Sequence, residues 1–179
     1  MQIDKLFGEV LKWNVAFQVE IPSKNLNLEI FYEEYKEYSE AKTEEERIDA
    51  LGDMIVVLLG IAAKLVILPA ENKSIKALAQ NQVVKINDYV VQSLTDSVLG
   101  NYQQATALSE ILAVLDIELT NRKQDTDKVV MKIMEYNWKK FWTEAEVKTT
   151  KLPSVKTAFG YVVKNETGKI QKPPSFVHL

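Results

Sequence analysis

Residues 54–68, MIVVLLGIAAKLVIL, constrain this 179-residue chain more than any other stretch. The run is shorter than the roughly 20 residues needed to cross a bilayer. It also contains Lys64 and stops at Pro69, so it reads as a buried core helix and not as a membrane span. Neighbouring segments have to cover it. The length allows one ordinary domain with a sizeable core, and 46% hydrophobic with 26% charged residues is the balance of a globular protein.

Charge and residue usage then exclude several function classes. A net charge of -3 gives no electrostatic reason to expect sequence-independent binding to nucleic acid. The chain has no cysteine, which removes disulfides, zinc-thiolate sites and a thiol nucleophile. The start, MQIDKLFGEVLKW, lacks the apolar core of a signal peptide, so a cytoplasmic location is expected. The sequon Asn165-Glu166-Thr167 is then an accident of composition.

Helical periodicity runs through most of the rest. Residues 2–19, with Ile3, Leu6, Phe7, Val10, Leu11, Asn14 and Phe17 spaced by threes and fours, predict a first amphipathic helix ending near Pro22. Cap-type residues at 23–27 introduce a second helix over about 26–42. A third begins near Thr43, where Glu46 fits a capping box, and runs through Leu68; the short connection around 42–46 makes these two an antiparallel pair. Residues 74–99 and 104–119 read as helices on either side of Gly100-Asn101, and a last helix covers about 125–142. Strand signals are confined to AFGYVVKNETGKIQ (158–171), two short runs around a turn-forming NETG. The fold class is therefore expected to be all-α. Residues 1–150 form one domain with 72–124 as an inserted helical hairpin, and 151–179 form an irregular or β-hairpin tail packing on it.

The acidic residues before the apolar run raise the functional question. At 100 degrees per residue, Ile30, Glu34, Glu37 and Ala41 form one stripe, and Asp49, Asp53, Val56 and Gly60 form another, with Glu46 beside it. If the stripes face each other, four or five carboxylates meet where burial of isolated charge is costly and mutual repulsion raises their pKa values. A cation is then needed. The only histidine is His178, so the Glu-x-x-His pairs of di-iron bundles cannot be built. An all-oxygen site suits Mg²⁺ or Mn²⁺ and argues against zinc, and Mg²⁺ held by a few carboxylates completes its shell with substrate phosphate. Glu33, Glu40, Glu44 and Glu45 also fit a plain solvated face with Lys36 and Lys42. Glu34, Glu37, Asp49 and Asp53 fit it less well, because their stripes continue into apolar positions. On the last helix, in EYNWKKFW, Asn137 and Lys140 share a face and can contact a phosphate or a metal-bound oxygen, while Phe141 and Trp142 offer rings to a base.

These residues resemble the all-α nucleoside triphosphate pyrophosphohydrolases, the group that includes MazG, dimeric dUTPases and phosphoribosyl-ATP pyrophosphohydrolase. The pattern E-E-x-x-E is matched by Glu33 to Glu37. The following E-x-x-D is read either as Glu46 to Asp49 or with Asp53 as its aspartate, which leaves Ala50 in place of the glutamate. DALGDMIVVLLGIA is similar to a segment of phage-type members, Asn137-Trp138-Lys139-Lys140-Phe141 to their N-x-x-K-F, and GKIQKPPSF to their G-K-x-x-K-P-P tail. Residues 72–124 are longer than the family's usual link.

The resemblance implies a MazG-like antiparallel helical bundle, a homodimer or dimer of dimers, in the host cytoplasm if the source is viral. It implies hydrolysis of a (d)NTP between the α- and β-phosphates, with Mg²⁺ or Mn²⁺ on Glu34, Glu37, Glu46, Asp49 and Asp53. Glu33 or Glu34 would be the base, and Asn137, Lys140, Lys169 and Lys172 the phosphate contacts, Lys140 also acting in catalysis. Two other readings remain open: a hydrolase of a signalling nucleotide such as ppGpp, and an inactive helical module that binds a partner protein.

Overall fold

The structure, a computed structural model, describes residues 1–17, 24–65 and 101–177. Its axis is a helix of 22 residues, α3 (Glu44–Leu65), which carries the apolar run. Against it pack α1 (Ile3–Ala16), α2 (Lys24–Glu40), α4 (Asn101–Asn121) and α5 (Thr126–Trp138). Leu51, Met54, Ile55, Leu58 and Leu59 are fully buried, and each such side chain stabilises the fold by ~2 kcal/mol relative to exposure. Ile3, Leu6 and Val10 of α1, Phe31 of α2, Ile111, Leu112 and Leu115 of α4, and Val130 and Met134 of α5 close the same core. The described residues are mostly helical, consistent with an all-α class, and no helix among them is long and apolar enough to cross a membrane.

The observed helix limits differ from the sequence expectations for identifiable reasons. α1 ends at Ala16, with the Phe17 amide still bonded to the Trp13 carbonyl (2.9 Å) and its ring completely buried; residues 18–19 lie outside the described residues. α2 lies two residues earlier than expected, and α4 extends the helix expected over 104–119 at both ends. Residues 74–99 lie outside the described residues. α5 starts behind Asp125, whose carboxylate caps the Lys128 amide (3.1 Å). It ends four residues short of the expected 142. The amides of Lys139 and Lys140 turn back to the carbonyls of Tyr136 and Asn137, and Trp142 exchanges both backbone bonds with Tyr161 (2.8 and 2.9 Å).

The tail holds one antiparallel pair, β1 (Ser154–Lys156) and β2 (Tyr161–Val163), with Val155 opposite Val162. The expected hairpin around NETG is thereby corrected, since the strands meet across residues 157–160, one turn earlier. NETG forms its own loop, closed by an isolated bridge between Lys164 and Ile170 and by the Asn165 side chain, which accepts from the Thr167 (3.1 Å) and Lys169 (2.8 Å) amides. Such Asx geometry turns the chain without needing a strand on either side. A single-turn helix, α6 (Glu144–Val147), sits between α5 and the strands.

Candidate active site

Only residues 41–43 separate α2 from α3, so the end of one helix packs directly on the start of the other. The junction is fixed by a cap. Thr43 Oγ1 accepts from the Glu46 amide (3.1 Å), and the Glu46 carboxylate accepts from the amides of Lys42 (2.7 Å) and Thr43 (3.0 Å). Those amides hold the Glu46 carboxyl below its usual value, Lys42 first. The capping role of Glu46 is thus realised, with both amides donating to its Oε2.

Beyond the cap, the two acidic stripes run from solvent inward. On α3, Asp49 is exposed, Asp53 half-buried and Val56 buried; on α2, Glu37 is exposed near the helix end and Glu34 half-buried. Burial pushes the Glu34 carboxyl up from 4.5 to about 8, helped by the charges of Asp53 and Glu37 and opposed by Lys169 and Lys140. Burial likewise raises Asp53 from 3.8 to about 6, with Lys140 and Lys172 opposing and Asp49 and Glu37 adding to it. Lys140 is driven down from 10.5 to about 8 by burial, while Asp53 and Glu34 favour its charged form and Lys172 and Lys169 oppose it. The charges of Glu37, Asp49, Lys169 and Lys172 thus all act on one or more of Glu34, Asp53 and Lys140.

Elements far apart in sequence supply the cations. Lys140 follows the tight end of α5, and α5 can approach α3 because residue 52 is glycine. A Cβ there would collide with Ile133 and lie 2.8 Å from Val129 Cγ1. Lys169 and Lys172 come from the tail, which is tied down at several points. The Trp142 indole donates to the Gln171 carbonyl (2.9 Å), the Gln171 amide to the Val163 carbonyl (2.9 Å), and the Ser175 amide to Glu146 (3.2 Å). Bonds from Ser175, then Thr143, hold the Glu146 carboxyl down at about 2. Glu33, offered above as a possible base, is exposed and ion-paired with Lys169. Asn137 is buried, with its amide 4.0 Å from the Met134 sulfur, so the structure places it in the core beside the cluster.

Three aromatic residues escaped the sequence reading. The Tyr136 hydroxyl is buried without a hydrogen-bond partner, and burial, then Asp49 and Glu135, push its pKa up. The Trp13 indole nitrogen is also buried and unpartnered, with Lys140 Nζ 5.9 Å from the ring centre. Phe159 is exposed at the β1–β2 turn. Tyr136 stands beside Asn137 in EYNWKKFW, and that adjacency was the available signal; nothing local marks Trp13 or Phe159.

As the side chains stand, no three acidic or imidazole groups among the described residues converge as a ready metal shell. The donor chemistry nevertheless fits a hard cation. The cluster offers only carboxylate oxygens, and its two half-buried members are destabilised as anions by burial and by each other. The chain matches no family model, no curated protein and no solved structure.

Proposed function

We propose that this chain is a MazG-like, Mg²⁺-dependent nucleotide pyrophosphohydrolase that cleaves a (d)NTP between the α- and β-phosphates to a monophosphate and pyrophosphate. One observation supports the reading: the half-buried Glu34 and Asp53 and the end of α5 at Lys140 feel one another's charge and that of Glu37, Asp49, Lys169 and Lys172. Carboxylates alone would suit a bare cation site, and lysines alone an anion site. Together they suit a cation and a polyphosphate at once.

Glu37, Asp49 and Asp53 would hold Mg²⁺ or Mn²⁺, which when bound neutralises phosphate charge and makes water a better nucleophile. Lys140, Lys169 and Lys172 bind phosphate oxygens and orient the chain of phosphates. Glu34 is the base, since Glu33 is engaged by Lys169. Glu34 takes a proton from the attacking water as its oxygen bonds to the α-phosphorus. The bond from that phosphorus to the bridging oxygen breaks, and pyrophosphate leaves with the electron pair. The protein works as a homodimer or dimer of dimers.

Product analysis tests this with a panel of NTPs, dNTPs and ppGpp plus Mg²⁺, alongside Glu37→Gln. Monophosphate and pyrophosphate from the wild type alone is the expected result. Release of inorganic phosphate instead, or equal turnover by Glu37→Gln, would refute it.

A further inference from the structure

The cluster of charges has an aromatic neighbour that the reaction above does not use. Phe159, 65% exposed, sits at the tip of the turn between β1 and β2. The turn is rigid. The Thr157 hydroxyl donates to the Gly160 carbonyl (2.9 Å) and accepts from the Phe159 amide (3.1 Å), and the Thr157 amide donates to the same carbonyl (2.8 Å). Gly160 has φ +142°, which side-chain-bearing residues rarely adopt, and a Cβ there would lie 3.1 Å from the Trp142 carbonyl oxygen and 3.2 Å from Phe141 Cβ.

The ring so displayed is the outer end of an aromatic stack whose middle member, Phe17, is fully buried. It meets Trp138 edge-on at 5.9 Å and Phe141 at 5.7 Å. Phe141 stacks on Phe17 at 3.9 Å, and Phe17 on Trp13 at 4.6 Å. Over Trp13 stands the ammonium of Lys140, 5.9 Å from the ring centre, the same group that feels Asp53 and Glu34. Phe141, next to Lys140 in sequence, therefore joins the exposed Phe159 to the stack that reaches the site's cation. A large ring held out to water on a rigid turn contributes little to folding, whereas aromatic faces beside a phosphate-binding cation are what a nucleotide needs on its base side.

Resting on the nucleotide reading above, we propose that Phe159, backed by Trp138 and Phe141, stacks against the nucleobase of the nucleotide whose phosphates meet Lys140. Every base presents a π-face, so this contact supplies affinity for nucleotides in general and not a choice between bases.

The test compares dissociation constants, measured by calorimetry with Mg²⁺, for non-hydrolysable α,β-methylene nucleotides and for inorganic tripolyphosphate, which has no base. Phe159→Ala is expected to weaken the nucleotides about tenfold and to leave tripolyphosphate unchanged. Phe159→Tyr keeps wild-type affinity, and Phe159→Leu, which keeps apolar bulk without a π-face, behaves as alanine does. Wild-type nucleotide affinity in Phe159→Ala, equal weakening of both ligands, or a changed sedimentation coefficient in that variant would overturn the proposal while leaving the site reading intact. Wild-type protein that binds neither ligand would overturn the site reading, and this proposal with it.

Discussion

Replacing Glu34 by glutamine is expected to stabilise the metal-free protein at alkaline pH. In the fold the Glu34 carboxyl titrates at about 8 and not 4.5, through burial first and then the charges of Asp53 and Glu37. The folded state therefore holds this proton more tightly than the unfolded state. Below pH 4.5 the difference costs nothing; as pH rises towards 8 the unfolded chain ionises first, and stability is lost progressively until both states are ionised. At ~1.36 kcal/mol per pH unit the interval corresponds to at most ~5 kcal/mol, and solvent at this half-buried group cuts it to about 2 kcal/mol. Glutamine keeps the shape and carries no charge. In EDTA, urea unfolding should find Glu34→Gln and wild type within about 0.5 kcal/mol at pH 5, and the variant about 2 kcal/mol more stable at pH 8.5. With a urea slope of ~1–3 kcal/mol per molar, that is a midpoint higher by about 1 M. Added Mg²⁺ should raise the midpoint of both proteins, since Glu37, Asp49 and Asp53 remain in the variant. A variant no more stable than wild type at pH 8.5 in EDTA would refute the reasoning, because the carboxyl would then not be a destabilised anion.

Other perturbations follow from particular contacts. Gly52→Ala puts a methyl group against Val129 and Ile133 and should cost ~1–3 kcal/mol of stability by chemical denaturation, with a loss of activity as α5 and Lys140 shift. Lys123 ends α4 at φ 60°, so Lys123→Gly should raise stability by ~0.5–1 kcal/mol in the same assay. Mg²⁺ binding to wild type at pH 7 should release about one proton, chiefly from Glu34, read by calorimetry in buffers of different ionisation enthalpy. Glu34→Gln should release almost none.

The legible parts of the molecule were those set by local chemistry. The run 54–68 announced a core helix by its composition, and α3 buries most of 54–62; Thr43 and Glu46 announced a cap by their spacing, and the bonds are made. Stripe geometry also selected Glu34, Glu37, Asp49 and Asp53, and in the fold the half-buried Glu34 and Asp53 are raised by burial and by acidic neighbours. What sequence could not decide were competitions between local and distant partners. Glu46 suited both a cap and a metal, and the fold shows the cap, with the amides of Lys42 and Thr43 on its Oε2. Helical periodicity continued to Trp142, yet Tyr161, nineteen residues on, takes that backbone out of the helix. Asn137 was read as sharing a face with Lys140, and the last turn of α5 buries it with its amide 4.0 Å from the Met134 sulfur. Phe159 has no periodic context at all, and only the turn geometry reveals that it is displayed.

The central claim is that the α2–α3 carboxylates form a divalent-cation site. Electron paramagnetic resonance tests it most directly, because free Mn²⁺ gives a signal that binding removes. Titration of the metal-free protein should deplete the free-ion signal in wild type, and much less in Asp53→Asn and Glu37→Gln. A wild type that leaves the signal untouched, or an Asp53→Asn variant that takes up as much Mn²⁺, would contradict the account.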